Sequence, residues 1–366
     1  MSGECLTYHE KRTDRAGAVA VTADGGDLLH AGNPAMRRPL LSILIPAYNY
    51  PEGVARILCV LRAQTYEGAE IVISDDSTSD DVETAVAPII QPGARIRYTR
   101  NSPGLGAGAN WNALLDKAEG RYCLLMHHDE FPASPQFVER ILGELTDAEC
   151  PDVLVLKSVL VRGAAGRNVL HVPEWLRAGV ARHAPHYLFF RNVIGAPSVV
   201  VARRDIYPRF DERLTWLIDV DAYVRLLVEK RRIRFTSVSV ASVSDRQGSI
   251  TASIGSKLSD VRNHELAYLR SKYPRDPWLA VLVGRTIPGR MGRTLELLWW
   301  AAFKGCKCMW AALVPSPVAA EDIQRWLGPN QTTVPAPRPG PGIPASDSGC
   351  AQRSSGTQRR SRCSRS

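Results

Sequence analysis

Leu41-Ser-Ile-Leu-Ile-Pro-Ala-Tyr-Asn49, then Pro51 to Gln64, then Glu70-Ile-Val-Ile-Ser-Asp-Asp-Ser77 decide the fold. Leu41 to Ile45 is nearly continuous and apolar, as a strand buried on both faces of a parallel sheet requires. Val54, Ile57, Leu58 and Leu61 follow at helical spacing, and Pro51 sits in the first turn, where its missing N–H costs nothing. A second apolar run, Ile71 to Ile73, stops at Asp75 and Asp76. The carboxyl ends of parallel strands are where open α/β sheets bind ligands, so the two acids are candidate ligand contacts. Their other reading is as caps for the next helix, since Ser77-Thr-Ser-Asp80 is rich in capping types.

Outward from this unit, strands and helices alternate. A helix is expected near 80–87, a strand over 95–99, a helix over 109–118, a strand over 121–126 and a helix over 134–145. This alternation predicts a mostly parallel sheet covered by helices. Residues 152–162 read as extended and the stretch through His186 as irregular. Asn192 to Ala202 reads as a turn entering a strand. A helix over 218–230, a strand over 233–243 and an amphipathic helix over 257–273 follow.

The motifs Ser42 to Asn49, Gln64-Thr-Tyr66 and Ile71 to Ser77, in this order, resemble the opening of glycosyltransferase family 2. The similarity runs from about residue 40 to about 255. It implies a GT-A fold, Rossmann-like, with transfer of a sugar from a nucleotide diphosphate sugar to a hydroxyl of a glycan or lipid-linked acceptor. It further implies that Pro46 and Tyr48 line the base pocket, with Asp76 bonding the base and Asp75 beside it. Tyr122 to Met126 leads into His127-His-Asp-Glu130, which matches the family's Asp-x-Asp region. Asp129 then falls on the metal-binding acid, bridging the donor diphosphate through Mg2+ or Mn2+, and His128 on a donor contact. One or two protein carboxylates suffice when phosphate and water supply the other ligands. His127 stands where the family carries its first acid. Imidazole suits Mn2+ better than Mg2+, so His127 is either a metal ligand or a contact to ribose or phosphate.

Phe210-Asp-Glu-Arg-Leu-Thr-Trp-Leu-Ile-Asp-Val-Asp-Ala-Tyr-Val-Arg225 resembles the family's acidic helix start. By that match Asp219 is the general base of an inverting transfer and Asp221 its supporting acid, because an acceptor hydroxyl attacks poorly while it keeps its proton. Both acids also suit the positive end of a helix dipole. Asn192 to Ser198 matches the acceptor floor. Arg246, in Asp245-Arg-Gln-Gly-Ser249, matches a lid that grips the diphosphate, without the customary histidine.

Two competing readings stand beside this one. Gly104-Leu-Gly-Ala-Gly-Ala109, with the acid at 129, mimics a dinucleotide fingerprint and hence an oxidoreductase, although the strand before it is half polar. A GT-A-like scaffold with weakened chemistry, held at a membrane surface, would explain the missing metal-site acid and lid histidine.

Composition sets the frame. The chain of 366 residues is 45% hydrophobic, enough for one large core. Its net charge of +9 is concentrated in a Pro/Ser/Gly-rich tail carrying Arg338, Arg353, Arg359, Arg360, Arg362 and Arg365, so no nucleic-acid role is expected. Eight cysteines show no paired-ligand spacing; Cys59 and Cys123 fall in apolar runs and read as core thiols. The N-terminus carries no apolar signal region, which predicts a cytoplasmic protein. Leu295 to Val314 holds three tryptophans behind Arg285, Arg290 and Arg293. It reads either as an interfacial helix giving peripheral contact at the inner face of the cell membrane or as a helix packed on the catalytic domain. The expected organisation is a disordered segment over 1–38, a GT-A catalytic domain over 39–255, a helical extension over 256–327 and a disordered basic tail over 328–366.

Overall fold

The computed structural model describes residues 38–62, 64, 68–90, 95–161, 169–170, 172–243 and 254–283. The segment before residue 38, Arg246, the 295–314 stretch and the basic tail lie outside these residues.

The chain runs β1 (Leu41–Ala47), α1 (Pro51–Arg62), β2 (Ala69–Asp75), α2 (Asp81–Val86), β3 (Ile96–Arg100), α3 (Ala107–Lys117) and β4 (Tyr122–Leu125). Next come β5 (Glu130–Pro132), α4 (Phe137–Thr146), β6 (Val153–Val161), β7 (Val169–Leu170), α5 (Glu174–His183) and β8 (Val200–Arg203). The last elements are α6 (Ile218–Leu227), β9 (Ile233–Val243), α7 (Leu258–Lys272) and α8 (Pro277–Leu282).

One sheet carries the core, in the order β3-β2-β1-β4-β8-β6-β9-β5, with β7 added on β6. Strands β3, β2, β1 and β4 are mutually parallel, as the alternation of strands and helices predicts. Beyond β4 the sheet is mixed. Strand β8 runs antiparallel to both β4 and β6, β5 antiparallel to β9, and β6 parallel to β9. This sheet with its helical cover is the GT-A fold. Every residue of β1 and β2 is buried, which is why both strands read as unbroken apolar runs.

Helix α1 packs through Gly53, Val54, Ile57, Leu58 and Leu61. Position 59 falls on the opposite face, so Cys59 is exposed and is no core thiol, whereas Cys123 in β4 is fully buried. The stretch read as irregular contains α5. Its apolar residues are few, with Arg177 buried among them, and this hides the helical period. Strand β3 pairs only with β2, at the sheet edge, and most of its residues are partly or fully exposed. A dinucleotide-binding fold needs its glycine loop after a central strand, so the Gly104–Ala109 reading fails on topology.

Beneath the sheet's first strands lies a buried polar cluster. Ser42 Oγ donates to Glu70, as do Arg97 at 2.7 Å and the Glu119 amide at 2.7 Å, while the Gly120 amide donates to Ser42 Oγ at 2.8 Å. Burial alone would raise the Glu70 pKa, but its three donors and the Arg97 charge lower it overall. A side chain at Gly120 would meet the Ser42 nitrogen at 2.6 Å, so this close approach requires glycine.

Candidate active site

Parallel β1, β2 and β4 all end on one edge of the sheet, which brings the three sequence motifs together. Pro46 is buried within β1, opposite Ser74. Just past the strand, Tyr48 is 53% exposed, an unusually open aromatic at a sheet edge. Neither Asp75 nor Asp76 caps α2; Asp80 occupies that position and makes no side-chain cap bond. Asp75 instead accepts bonds from the amide and hydroxyl of Ser77 and from Tyr98 OH at 2.6 Å. Asp76 accepts from the amides of Leu105 at 2.6 Å and Gly106 at 2.8 Å, and from Asn101 Nδ2 at 3.1 Å. Gly106 adopts φ +86°, a left-handed conformation that glycine takes without strain. Asp76 thus holds the loop that starts α3, and Asp75 the turn that aims Asp76.

The segment after β4 presents His127, His128 and Asp129. Among the described residues nothing pairs with the Asp129 carboxylate. The Nε2 of His127 and the Nδ1 of His128 are buried with no hydrogen-bond partner. Burial lowers the His127 pKa to about 4 against the opposing Asp129 charge, and lowers that of His128 likewise. Both imidazoles are therefore neutral at pH 7, the form that binds metals. His128 also bonds the Pro46 carbonyl, and its ring meets Tyr50 edge-on at 5.4 Å; the His127 ring lies 4.8 Å from that of Trp111. No set of three or more acidic, His or Cys side chains converges on one point among the described residues. An unpaired carboxylate beside an orphaned neutral imidazole fits a divalent cation that draws its other ligands from phosphate and water. Gly53 of α1 allows the close packing of this segment, since a Cβ there would meet the His128 carbonyl oxygen at 2.6 Å.

Asp219 lies in the first turn of α6, partly exposed but crowded by protein. Asn192 Nδ2 donates to its Oδ2 at 2.9 Å and the Val220 amide to its Oδ1 at 2.8 Å. Desolvation outweighs these bonds and raises its pKa to about 7, with Glu265 adding a further upward push. Asn192 also accepts from the amides of Ile194 and Gly195, each at 3.0 Å, and donates to the Gly195 carbonyl. Gly195 takes φ +116°. The Asn192–Ser198 loop and Asp219 therefore form one unit.

Asp221 stands apart from it. Its fully buried carboxylate is engaged by Arg225 at 2.7 and 2.9 Å, Lys272 at 3.0 Å and Tyr273 OH at 2.7 Å. The carboxylate anchors α6 to α7 and takes its partners from the protein interior.

Three residues of this region escape the sequence reading. Glu130, in β5, is buried against Ser198 and Ser242, and desolvation raises its pKa to about 8. Ser198 is itself fully buried and accepts from the His127 amide at 3.0 Å, joining the His127–Glu130 segment to the Asn192–Ser198 loop. Glu265 approaches from α7. Glu130 adjoins the Asp129 motif and Ser198 closes the Asn192 motif, so sequence flagged their neighbourhoods; Glu265 lies on a helix with no motif.

Residues 42–208, a little under half of the chain, match the sequence model of Glycosyl transferase family 2. An uncharacterized protein of Mycobacterium tuberculosis is 30% identical over 212 residues, covering 54% of this chain and 64% of that protein. A UDP-Glc:α-D-GlcNAc-diphosphoundecaprenol β-1,3-glucosyltransferase of Escherichia coli is 34% identical over 92 residues, 25% of this chain and 36% of the relative. The chain thus spans less than two thirds of either relative. Among solved structures, a mannosyltransferase of Pyrobaculum calidifontis in complex with GDP-Man and Mn2+ superimposes with a TM-score of 0.49 at 14% identity, covering 79% of both chains. No helix among the described residues is long and apolar enough to cross a membrane.

Proposed function

We propose that this protein is a glycosyltransferase of the hexosyltransferase type, moving a sugar from a nucleotide diphosphate sugar to a hydroxyl of a glycan or lipid-linked acceptor with inversion. The observation that carries the reading is Asp219. A carboxyl titrating near 7 is divided between its two forms at neutral pH, the condition under which a general base is most effective. Asn192 and the Val220 amide fix its orientation beside the acceptor floor. In this mechanism Asp219 takes the acceptor hydroxyl's proton as that oxygen attacks the anomeric carbon and the bond to the diphosphate breaks on the opposite face.

Tyr48 would stack on the base, while Asp76 and its loop border the nucleotide. Asp129 and His127 would hold Mg2+ or Mn2+, with His128 alongside. Such a cation supplies neutralising charge for the departing diphosphate. Arg246 is proposed as a further diphosphate contact. The E. coli relative's name specifies a diphosphoundecaprenol-linked acceptor, which supports a lipid-linked class and, with it, polysaccharide biosynthesis at the cytoplasmic side of a membrane.

The test is NMR of the first product formed from a panel of nucleotide sugars with Mn2+ present. The product should carry the anomeric configuration opposite to the donor's. Retention would overturn the mechanism. Absence of turnover across the panel, with nucleoside diphosphate still bound, would favour the scaffold reading, which the missing first metal-site acid keeps in play.

A further inference from the structure

We infer that Glu265 is a positioning residue for Asp219: a carboxylate delivered by α7 that fixes the peptide turn from which the base projects. This rests on the transfer reading above and adds to it a device from outside the matched region. The first amides of a helix have no intrahelical acceptor and need one from elsewhere. Leu217, at the N-cap of α6, provides no side-chain cap. Glu265, distant in sequence, instead binds the amides of the turn that leads into the helix. Its Oε1 accepts from the Thr215 amide at 2.7 Å and the Trp216 amide at 3.1 Å; its Oε2 accepts from Trp216 at 3.2 Å and Leu217 at 2.8 Å. Three successive amides thus converge on one buried carboxylate, two residues before Asp219.

The same helix holds the flanks of that turn. Lys272 and Tyr268 bond Asp211 on its N-terminal side, at 2.7 and 2.6 Å. Lys272 and Tyr273 bond Asp221 on its C-terminal side. Glu265 itself is 3% exposed, and among the described residues no cation pairs with it. Its bonds run to backbone amides alone, so its charge is not cancelled by a neighbouring cation. That charge favours the protonated form of Asp219. Other groups around Asp219 are Asn192 from the acceptor floor, Tyr223 on its own helix, Tyr207, and Glu130 from β5. None of them bonds the amides that set the direction of α6.

Two effects follow, one geometric and one electrostatic, and two substitutions in the full chain separate them. Glu265→Gln removes the charge and turns an amide N–H towards the turn. Glu265→Asp keeps the charge, but one methylene less shortens its reach to the three amides. Carbon-13 NMR of the Asp219 carboxyl, which needs no turnover, should show its titration midpoint lowered in Glu265→Gln. The acid limb of the kcat profile should move with it. Glu265→Asp should lose about 10²-fold in kcat, the cost of a misplaced catalytic group, with an unmoved acid limb and donor KM. Binding of UDP or GDP should match the parent in both. An unmoved midpoint in Glu265→Gln, or parental kcat in Glu265→Asp, overturns the inference. If Glu265→Gln fails to fold, Glu265→Asp decides; if the parent shows no turnover, the transfer reading fails while the midpoint still decides.

Discussion

At the residue scale the site rests on carboxylates in unlike surroundings. Among the described residues Asp129 is unpaired, Asp219 is desolvated by burial, and Asp221 is paired with Arg225 and Lys272. Asp219→Asn should cost about 10²–10⁴ in rate with little change in donor affinity, read from steady-state kinetics. For the parent, kcat should fall about tenfold per pH unit below about 7, because a protonated carboxyl accepts no further proton. The same shift has a stability consequence of fixed sign. Folded, Asp219 holds its proton up to about pH 7; unfolded, it releases it near about 3.9. Its contribution to stability is therefore complete below the lower value and declines as pH rises towards the upper one. Thermal unfolding of Asp219→Asn should lose less than the parent between pH 5 and 7.5. Asp129→Ala should abolish Mn2+-dependent binding of nucleoside diphosphate in calorimetry while far-UV circular dichroism is unchanged; parental affinity would remove Asp129 from the metal site. Residues at strand ends were legible in sequence because an apolar run that stops at an acid marks where it stops. Glu130 and Ser198 were not, since their partners come from 68 residues apart in the chain.

At the scale of elements, α6 and α7 act as a pair. Asp221→Asn leaves Arg225 and Lys272 facing a neutral group in the interior, and breaking a buried pair in this way costs about 3–5 kcal/mol. Urea denaturation should show that loss, with nucleoside diphosphate affinity retained. Helix α1 has a comparable dependence at one point. Gly53→Ala would drive a methyl into the Tyr50 ring and the His128 carbonyl, so it should weaken Mn2+-dependent nucleotide binding at least as much as it lowers the melting temperature. Helix α1 was readable from its period in Val54, Ile57, Leu58 and Leu61, while Cys59, expected in the core, faces outward. Helix α5 was not, because burial of Arg177 breaks the apolar stripe; its Nη2 donates to the carbonyls of Leu156 and Ile194, at 2.7 and 2.9 Å, while its buried Nε has no partner among the described residues. A charge inside a helix face looks like a surface residue until its carbonyl partners are placed. The short β5 was missed for a related reason, its three residues lying directly against the metal-side motif.

At the scale of the whole molecule, the alternation of strands and helices foretold the parallel half of the sheet, but could not foretell that β8 would enter antiparallel, since strand direction depends on connections that carry no period. The 295–314 segment, outside the described residues, remains a proposal for membrane-surface contact. Truncation after about residue 290 should release the protein from anionic vesicles in a sedimentation assay while nucleotide binding persists; equal partitioning would leave that segment as domain packing. The antiparallel junction of β4 with β8 has a consequence of its own. The proposed nucleotide contacts Tyr48, Asp76 and Asp129 hang from one side of that junction, and Asn192, Gly195 and Asp219 from the other. The two sides meet through three paired residues of β4 and β8, the His127–Ser198–Glu130 bonds, the Asn112–Phe210 bonds and the Asp116–Arg209 ion pair. A fold divided in this manner is suited to inheritance in parts: the nucleotide side can stay fixed over generations while the far side drifts towards new acceptors. Chimaeras that exchange the chain beyond Asp129 with that of a relative should keep the parent's nucleotide and take the relative's acceptor.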